Sequence, residues 1–83
     1  MGKIEIKFHN KIEIKTLAQI FMDQTLVSTG VAGPGETCIL SAEKGRYDIY
    51  VKNGQTGWEL AHKLGGEAKS VTVSQRKGRY VVS

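Results

Sequence analysis

The pairing in this sequence that comes closest to nucleophilic catalysis is the single cysteine, Cys38, with one of two histidines, His9 or His62. A thiol nucleophile needs a base beside it. Cys38 lies in an apolar stretch, 37–40, and a lone cysteine there is typical of a small core residue. One cysteine and two distant histidines also lack the paired ligand spacing of a structural metal site. The sequence therefore predicts no catalytic residue, no metal and no cofactor, and we expect a protein that is not an enzyme.

The glycine-rich segments do not carry the pattern of a phosphate loop. The stretch 30–35 holds three glycines and the only proline, but no Lys-Ser or Lys-Thr follows it. The pair Gly65-Gly66 does not open a recognisable helix. These glycines indicate turns, and the eight carboxylates alternate with basic residues without forming an acid–base pair.

Basic residues with neighbouring tyrosines suggest a candidate binding surface. Twelve basic residues against eight acidic ones give a formal net charge of +4, spread along the chain. Cationic grooves with aromatic platforms hold single-stranded nucleic acid in small β-barrels. The candidate surface consists of Arg46, Tyr50, Arg76, Lys77 and Arg79. Most other aromatic side chains are predicted to face inward, so we favour protein–protein contacts or self-association, with single-stranded nucleic-acid binding as the alternative.

The length of 83 residues bounds the chain to one domain, residues 1–83. A domain of this size buries only roughly 60–65% of the surface of its unfolded chain, and a homo-oligomer would relieve that deficit. A single cysteine excludes an internal disulfide, which favours a cytoplasmic protein, with an excised extracytoplasmic domain as the alternative. No apolar run is long enough for a signal peptide or a transmembrane segment.

The first two predicted elements are residues 3–8 and 11–15. In both, apolar residues alternate with charged ones, which predicts two half-buried strands. If the two strands are neighbours, a three-residue loop at 9–11 places Ile6 opposite Ile14. The same register gives favourable outer-face pairs. These pairs are Lys7 with Glu13 and Glu5 with Lys15.

The middle of the chain predicts short extended segments separated by turns. Residues 17–27 could form a short helix or a buried strand, and we favour strand, with a turn at 23–25 and an extended segment from Leu26. A loop follows at 30–35, then a strand at 37–40 and a turn around 43–45.

A hairpin through Asn53-Gly54 is the most explicit local signal, because both residues tolerate the positive φ of a type I′ turn. Alternating residues from 47 to 51 lead into it. A two-residue loop there pairs Val51 with Thr56, Ile49 with Trp58 and Tyr47 with Leu60. The following residues, 61–64, could continue the strand or form a helical turn.

The last segments are a strand at 71–73, a turn at 75–78 and a returning strand at 80–82. About seven short strands, with at most one short helical turn, are typical of a mainly β protein. We therefore predict a small antiparallel β-sandwich or partly open barrel.

The order of signals over residues 18–60 resembles the PEGA and carboxypeptidase regulatory-like group of small β-sandwich domains. Residues 18–27 form an apolar strand that ends in an aspartate turn, and residues 38–40 form a second strand. In 45–51 a glycine precedes an aromatic residue and a strand of alternating apolar and polar residues, and Gly57 follows. The chain departs from the family in lacking the Pro-Glu-Gly-Ala signature and in having Gln24 where a glycine is usual. The resemblance implies a non-catalytic accessory module with no site residues to transfer.

Overall fold

The computed structural model describes residues 3–66 and 69–83, and these form eight β-strands without a helix. The strands are β1 (Lys3–Asn10), β2 (Thr16–Met22), β3 (Thr25–Ala32), β4 (Thr37–Glu43), β5 (Tyr47–Lys52), β6 (Glu59–Leu64), β7 (Ser70–Arg76) and β8 (Arg79–Val82). The mainly β prediction is confirmed, and both segments left open between strand and helix are strands. In the described part of the chain, no helix could span a membrane.

The strands form two four-stranded sheets that pack into a sandwich. The first sheet has the order β4-β1-β7-β8, and the second has the order β3-β2-β5-β6. Every neighbouring pair is antiparallel except β1 and β7, which are parallel. The core between the sheets collects the inner-face side chains, of which the fully buried large ones are Ile6, Phe8, Ile20, Leu40, Ile49, Val51, Val71 and Val73.

The predicted pairing between segments 3–8 and 11–15 is wrong. Ile6 lies opposite Leu40 of β4, and the other edge of β1 pairs with β7. Residues 11–15 bend instead of forming a strand, although Ile12 is buried in the core. The physical reason is that β1 satisfies its hydrogen bonds with two distant strands, so the charge pattern that favoured a local hairpin does not decide the register.

The Asn53 side chain connects this bend to the loop that follows β5. Its Nδ2 donates to the carbonyl of Lys15 over 2.6 Å, and its Oδ1 accepts hydrogen bonds from the backbone N–H groups of Gln55 and Thr56. These bonds give a six-residue loop, 53–58, in place of the predicted two-residue turn, and the left-handed residue of the loop is Gly57, with φ of 77°.

The register of β5 with β6 is accordingly shifted by four residues from the prediction. Val51 faces Leu60, Ile49 faces His62 and Tyr47 faces Leu64. Because the shift is even, Tyr47, Ile49, Val51 and Leu60 keep the predicted inward side, whereas Thr56 lies in the exposed loop. Trp58 precedes β6, is half-buried, and packs against the Tyr80 ring with centroids 5.2 Å apart.

Two other hairpins have the two-residue loops that the central one lacks. Asp23 and Gln24 connect β2 to β3 with φ of 49° and 71°, and Lys77 and Gly78 connect β7 to β8 with φ of 53° and 77°. Positive φ at both central residues is the property of a type I′ turn. The turns predicted at 23–25 and 75–78 are therefore present and are tighter than expected.

The predicted loop at 30–35 begins later, because β3 continues through Gly30 to Ala32. Gly30 lies where the edge of β3 approaches β4 of the other sheet. A Cβ at this position would lie 2.9 Å from Cys38 Sγ and 3.0 Å from Leu40 Cδ2. Gly30 is therefore required for close approach of the two sheets and does not mark a loop.

Candidate protein-contact surface

The outer face of the second sheet carries an apolar region on its β3–β2 half. Leu17 faces Val31 across the two strands, and Phe21 faces Leu26. Because directly opposed residues share a face, the two pairs lie on the same surface. Phe21 also contacts the Tyr50 ring edge-on, with centroids 5.4 Å apart and planes at 84°. We call these five residues the apolar face.

Exposure distinguishes this region from ordinary surface. Leu26 is 47% exposed and Val31 is 51% exposed. No charged residue occurs from 24 to 35, so β3 contributes none to the region. Gln19 lies on the same face between the two apolar pairs, opposite Thr29 and Tyr50. Exposed apolar surface rimmed by polar residues on a small protein is typical of contact sites.

The β5–β6 half of the same outer face is ionic. Lys63 Nζ lies 3.1 Å from Asp48 Oδ1, and Lys52 Nζ lies 3.6 Å from Glu59 Oε2. All four side chains are substantially exposed, so each pair contributes less than about 1 kcal/mol to stability. Their effect is to neutralise the border of the apolar face. A shallow hollow of about 320 Å³ spans this border, lined by Phe21, Gln24, Asp48, Tyr50, Lys52 and Glu59.

The five residues of the sequence-predicted binding surface are divided between the two sheets. Tyr50 lies on β5 and joins the apolar face, and Arg46 immediately precedes that strand. Arg76, Lys77 and Arg79 lie at the β7–β8 turn of the first sheet, where Arg76 and Arg79 face each other. Of the two tyrosines considered as stacking platforms, Tyr50 is therefore in a different sheet from the cationic turn. Tyr80 lies on β8 next to the turn, and its ring packs against Trp58.

The outer face of the first sheet is polar. Lys3, Glu5, Lys7 and His9 alternate with the buried residues of β1. In the register of β7, Lys7 lies opposite Ser70, and His9 lies opposite Thr72. This face is thus basic and rich in hydroxyl groups, whereas the outer face of the second sheet is apolar and charge-neutralised.

The residues considered for catalysis do not come together. Cys38 is opposite Phe8 on the core side of β4, whereas the neighbouring His9 points outward and contacts Thr37 Oγ1 through Nδ1 over 2.9 Å. His62 lies on β6 in the other sheet. Burial raises the pKa of the Cys38 thiol, which disfavours the thiolate that a nucleophile requires. Over 3–66 and 69–83, no group of three or more His, Cys, Asp or Glu residues could hold a metal ion.

Sequence reasoning did not identify the apolar face as a candidate site. The signal that could have revealed it is the stretch 24–35, which lacks any charge and yet carries Leu26, Val27 and Val31. Comparisons with family models, with curated protein sequences and with solved structures found no match to the chain.

Proposed function

We propose that this protein is a non-enzymatic β-sandwich module that binds another protein through the apolar face. The observation that carries the proposal is the combination of exposed aromatic and aliphatic side chains on one half of a sheet face with neutralised ion pairs at its border. Protein interfaces have this arrangement, because desolvation of a central apolar cluster supplies most of the affinity.

The chemistry of the face defines the class of partner. Residues 24–35 carry no charge, so the β3–β2 half offers no ion-pair partner to a charged segment. The accessible fractions of Leu26 and Val31 are about one half, which leaves apolar area to be removed from water on binding. The partner is therefore a protein segment with aliphatic or aromatic residues and low charge at its contact positions.

A displayed library of random twelve-residue peptides tests this proposal directly. We expect enrichment of sequences with aromatic and aliphatic residues, and we expect the selected peptides to lose at least about tenfold in affinity for the double variant Leu26→Ser/Val31→Ser. Both side chains are about half exposed, so the variant should remain folded, as circular dichroism would verify.

The matched control is Ile39→Ser, because Ile39 is 51% exposed, as is Val31, but lies on the first sheet. Peptide affinity should be the same for this variant and the unaltered protein. Failure to enrich apolar peptides, or equal binding by Leu26→Ser/Val31→Ser and the unaltered chain, would refute the apolar face as the contact site.

Single-stranded nucleic-acid binding is the second candidate, and one observation favours it. Arg76 and Arg79 face each other beside Lys77, and in the described residues no carboxylate lies within ion-pairing distance of the three. Phosphate contacts at this turn would release counterions, so affinity for a mixed oligonucleotide should fall steeply with salt. Arg76→Gln/Arg79→Gln should abolish such binding. Absence of binding at low salt would dismiss this candidate.

The resemblance to PEGA and carboxypeptidase regulatory-like domains is part of the same proposal. It is supported by the strand at 47–52 shortly after Gly45 and by the aspartate turn at Asp23. An accessory domain of that kind would act through contacts with other proteins. A module that binds through apolar contacts needs no cofactor. The peptide selection tests binding whether or not the chain is related to these domains.

A further inference from the structure

The strand β6 is an edge strand whose free side has a defined hydrogen-bonding pattern. The backbone N–H of Asn53 donates to the carbonyl of Trp58 over 3.1 Å. Since hydrogen-bonded and non-hydrogen-bonded pairs alternate in an antiparallel ladder, the backbone groups of 60, 62 and 64 point toward β5. The backbone N–H and C=O groups of Glu59, Ala61 and Lys63 therefore point away from the sheet.

We infer that β6 pairs antiparallel with β6 of a second copy of this chain, around a two-fold axis at Ala61. In this register Ala61 faces Ala61 of the second copy, and Glu59 faces Lys63 of the second copy. The outward-pointing backbone groups meet in these same facing pairs, and each pair exchanges two hydrogen bonds. The second sheet of one copy and the second sheet of the other then form one continuous eight-stranded sheet.

Charge selects this register over its symmetric alternatives. A shift that centres the axis on Glu59 places two carboxylates opposite each other, and one that centres it on Lys63 places two ammonium groups opposite each other. Axes at Leu60 or at His62 place Glu59 and Lys63 opposite uncharged residues. Only the axis at Ala61 makes Glu59 and Lys63 complementary. With the pairs inside each copy, Lys52–Glu59 and Lys63–Asp48, the outer face then carries a row of alternating charge across the junction.

The inner side of the junction is also compatible. The same register brings Leu60 opposite His62 of the second copy and Trp58 opposite Leu64 of the second copy, so an aromatic and an aliphatic side chain face each other there. Trp58 is half-buried, with its Nε1 atom buried and without a hydrogen-bond partner. The other short edge strand, β8, is less suited to pairing with itself, because Arg79 and the adjoining Arg76 and Lys77 would bring like charges together.

Sedimentation velocity over a range of protein concentrations tests the inference. We expect a reversible monomer–dimer equilibrium for the unaltered chain. Glu59→Lys alone and Lys63→Glu alone should each weaken self-association by at least roughly tenfold, because each creates two repulsive pairs at the junction. An equimolar mixture of the two variants should restore the dimer, since every facing pair is then of opposite charge.

Two further variants separate pairing from folding and from general charge. Ala61→Pro removes an N–H that points away from β5, so it should abolish dimerisation while preserving the fold. The charge controls are Glu13→Lys and Lys11→Glu, at positions outside the strands, and neither should change the dimer constant. Circular dichroism of each variant verifies its folding.

A chain that remains monomeric at millimolar concentration would overturn the inference. So would a mixture of Glu59→Lys and Lys63→Glu that stays monomeric, or a dimer that survives Ala61→Pro. The inference does not rest on the apolar face: Leu26→Ser/Val31→Ser should dimerise like the unaltered chain, so the failure of one proposal is distinguishable from the failure of the other.

Discussion

Replacing Asn10 should reveal how much of the fold depends on one buried amide. Asn10 is 1% exposed, and its Nδ2 donates to the carbonyl oxygens of Ile14, Ala32 and Gly33 over 2.8 to 3.0 Å. Its Oδ1 accepts from the N–H of Ile12 at 3.0 Å. These bonds connect the end of β1, the bend at 11–15 and the end of β3.

The magnitude follows from the groups that Asn10→Ala leaves unpaired. A buried donor or acceptor that loses its partner costs about 1–3 kcal/mol. Asn10→Ala removes the acceptor of the buried Ile12 N–H and the donor to the part-buried Ile14 and Gly33 carbonyls, whereas the Ala32 carbonyl still accepts from the Thr16 hydroxyl. We therefore expect a loss of about 3–5 kcal/mol in unfolding free energy. A domain of this length has a total stability of about 4–12 kcal/mol, so the substitution should remove a large fraction of it.

Asn10→Asp gives a sharper test, because it preserves shape and changes only the donor. An ionised carboxylate facing three carbonyl oxygens is unfavourable, so the pKa of the introduced carboxyl group should rise above its unfolded value. The folded state then binds more protons than the unfolded state between the two pKa values, so the stability of the variant relative to wild type should decrease as pH rises from the unfolded pKa of about 3.9 through the raised folded pKa. Urea denaturation followed by Trp58 fluorescence at about pH 3.5, 5 and 7 measures this difference on both sides of that pKa. A difference that does not vary with pH, or an Asn10→Ala protein as stable as wild type, would refute the reasoning.

Three further predictions concern the turns and the sheet junction. Gly30→Ala should lower the unfolding free energy by about 1–3 kcal/mol in urea denaturation, because its Cβ would overlap Cys38 Sγ and Leu40 Cδ2. Gln24→Gly should raise the melting temperature, with a gain of about 0.5–1 kcal/mol, since Gln24 occupies φ of 71° at no benefit that the structure shows. Iodoacetamide should alkylate Cys38 of the folded protein at about pH 7.5 more slowly than it alkylates glutathione, because burial raises the pKa of this thiol.

Each of these predictions has a contrasting measurement. Gly54→Ala is the control for Gly30→Ala, because a Cβ at Gly54 meets nothing within 4 Å and should have little effect. Gln24→Ala should not reproduce the gain from Gln24→Gly, and equal stabilisation by both would exclude a conformational origin. Alkylation of Cys38 should accelerate in denaturant, and a rate unaffected by unfolding would show an exposed thiol.

Local patterns predicted the strands well and their partners poorly. Alternation from Tyr47 to Val51 correctly identified the inner face of β5, because side-chain alternation is a property of one strand alone. The turn after β5 depended instead on Asn53, whose side chain bonds to Lys15, 38 residues earlier. A contact between residues so far apart cannot be read from the residues around Asn53. The hydrogen bond to Lys15 therefore determines the loop, although the local sequence favours a type I′ turn.

The N-terminal register failed for a related reason. Cross-strand charge pairing can choose between registers only when two strands are known to be neighbours. The neighbours of β1 are β4 and β7, whereas the prediction paired it with residues 11–15. The apolar face was missed because it arises only when β2, β3 and β5 lie side by side. Its components Phe21 and Leu26 are separated from Tyr50 in the sequence by β4, a strand of the other sheet.

The parallel pairing of β1 with β7 also has a consequence for how the chain folds. Lys7 lies opposite Ser70, a residue near the other end of the chain. Non-local pairing of this kind slows folding, because the closure entropy of a long loop must be overcome before the contacts form. At about 5–20 residues per second, a ribosome completes β7 roughly 3–13 seconds after β1. The second sheet, built from β2, β3, β5 and β6, is synthesised entirely within that interval. The nascent chain should therefore form this sheet first, and Ile6 and Phe8 should stay incompletely covered until the last hairpin arrives.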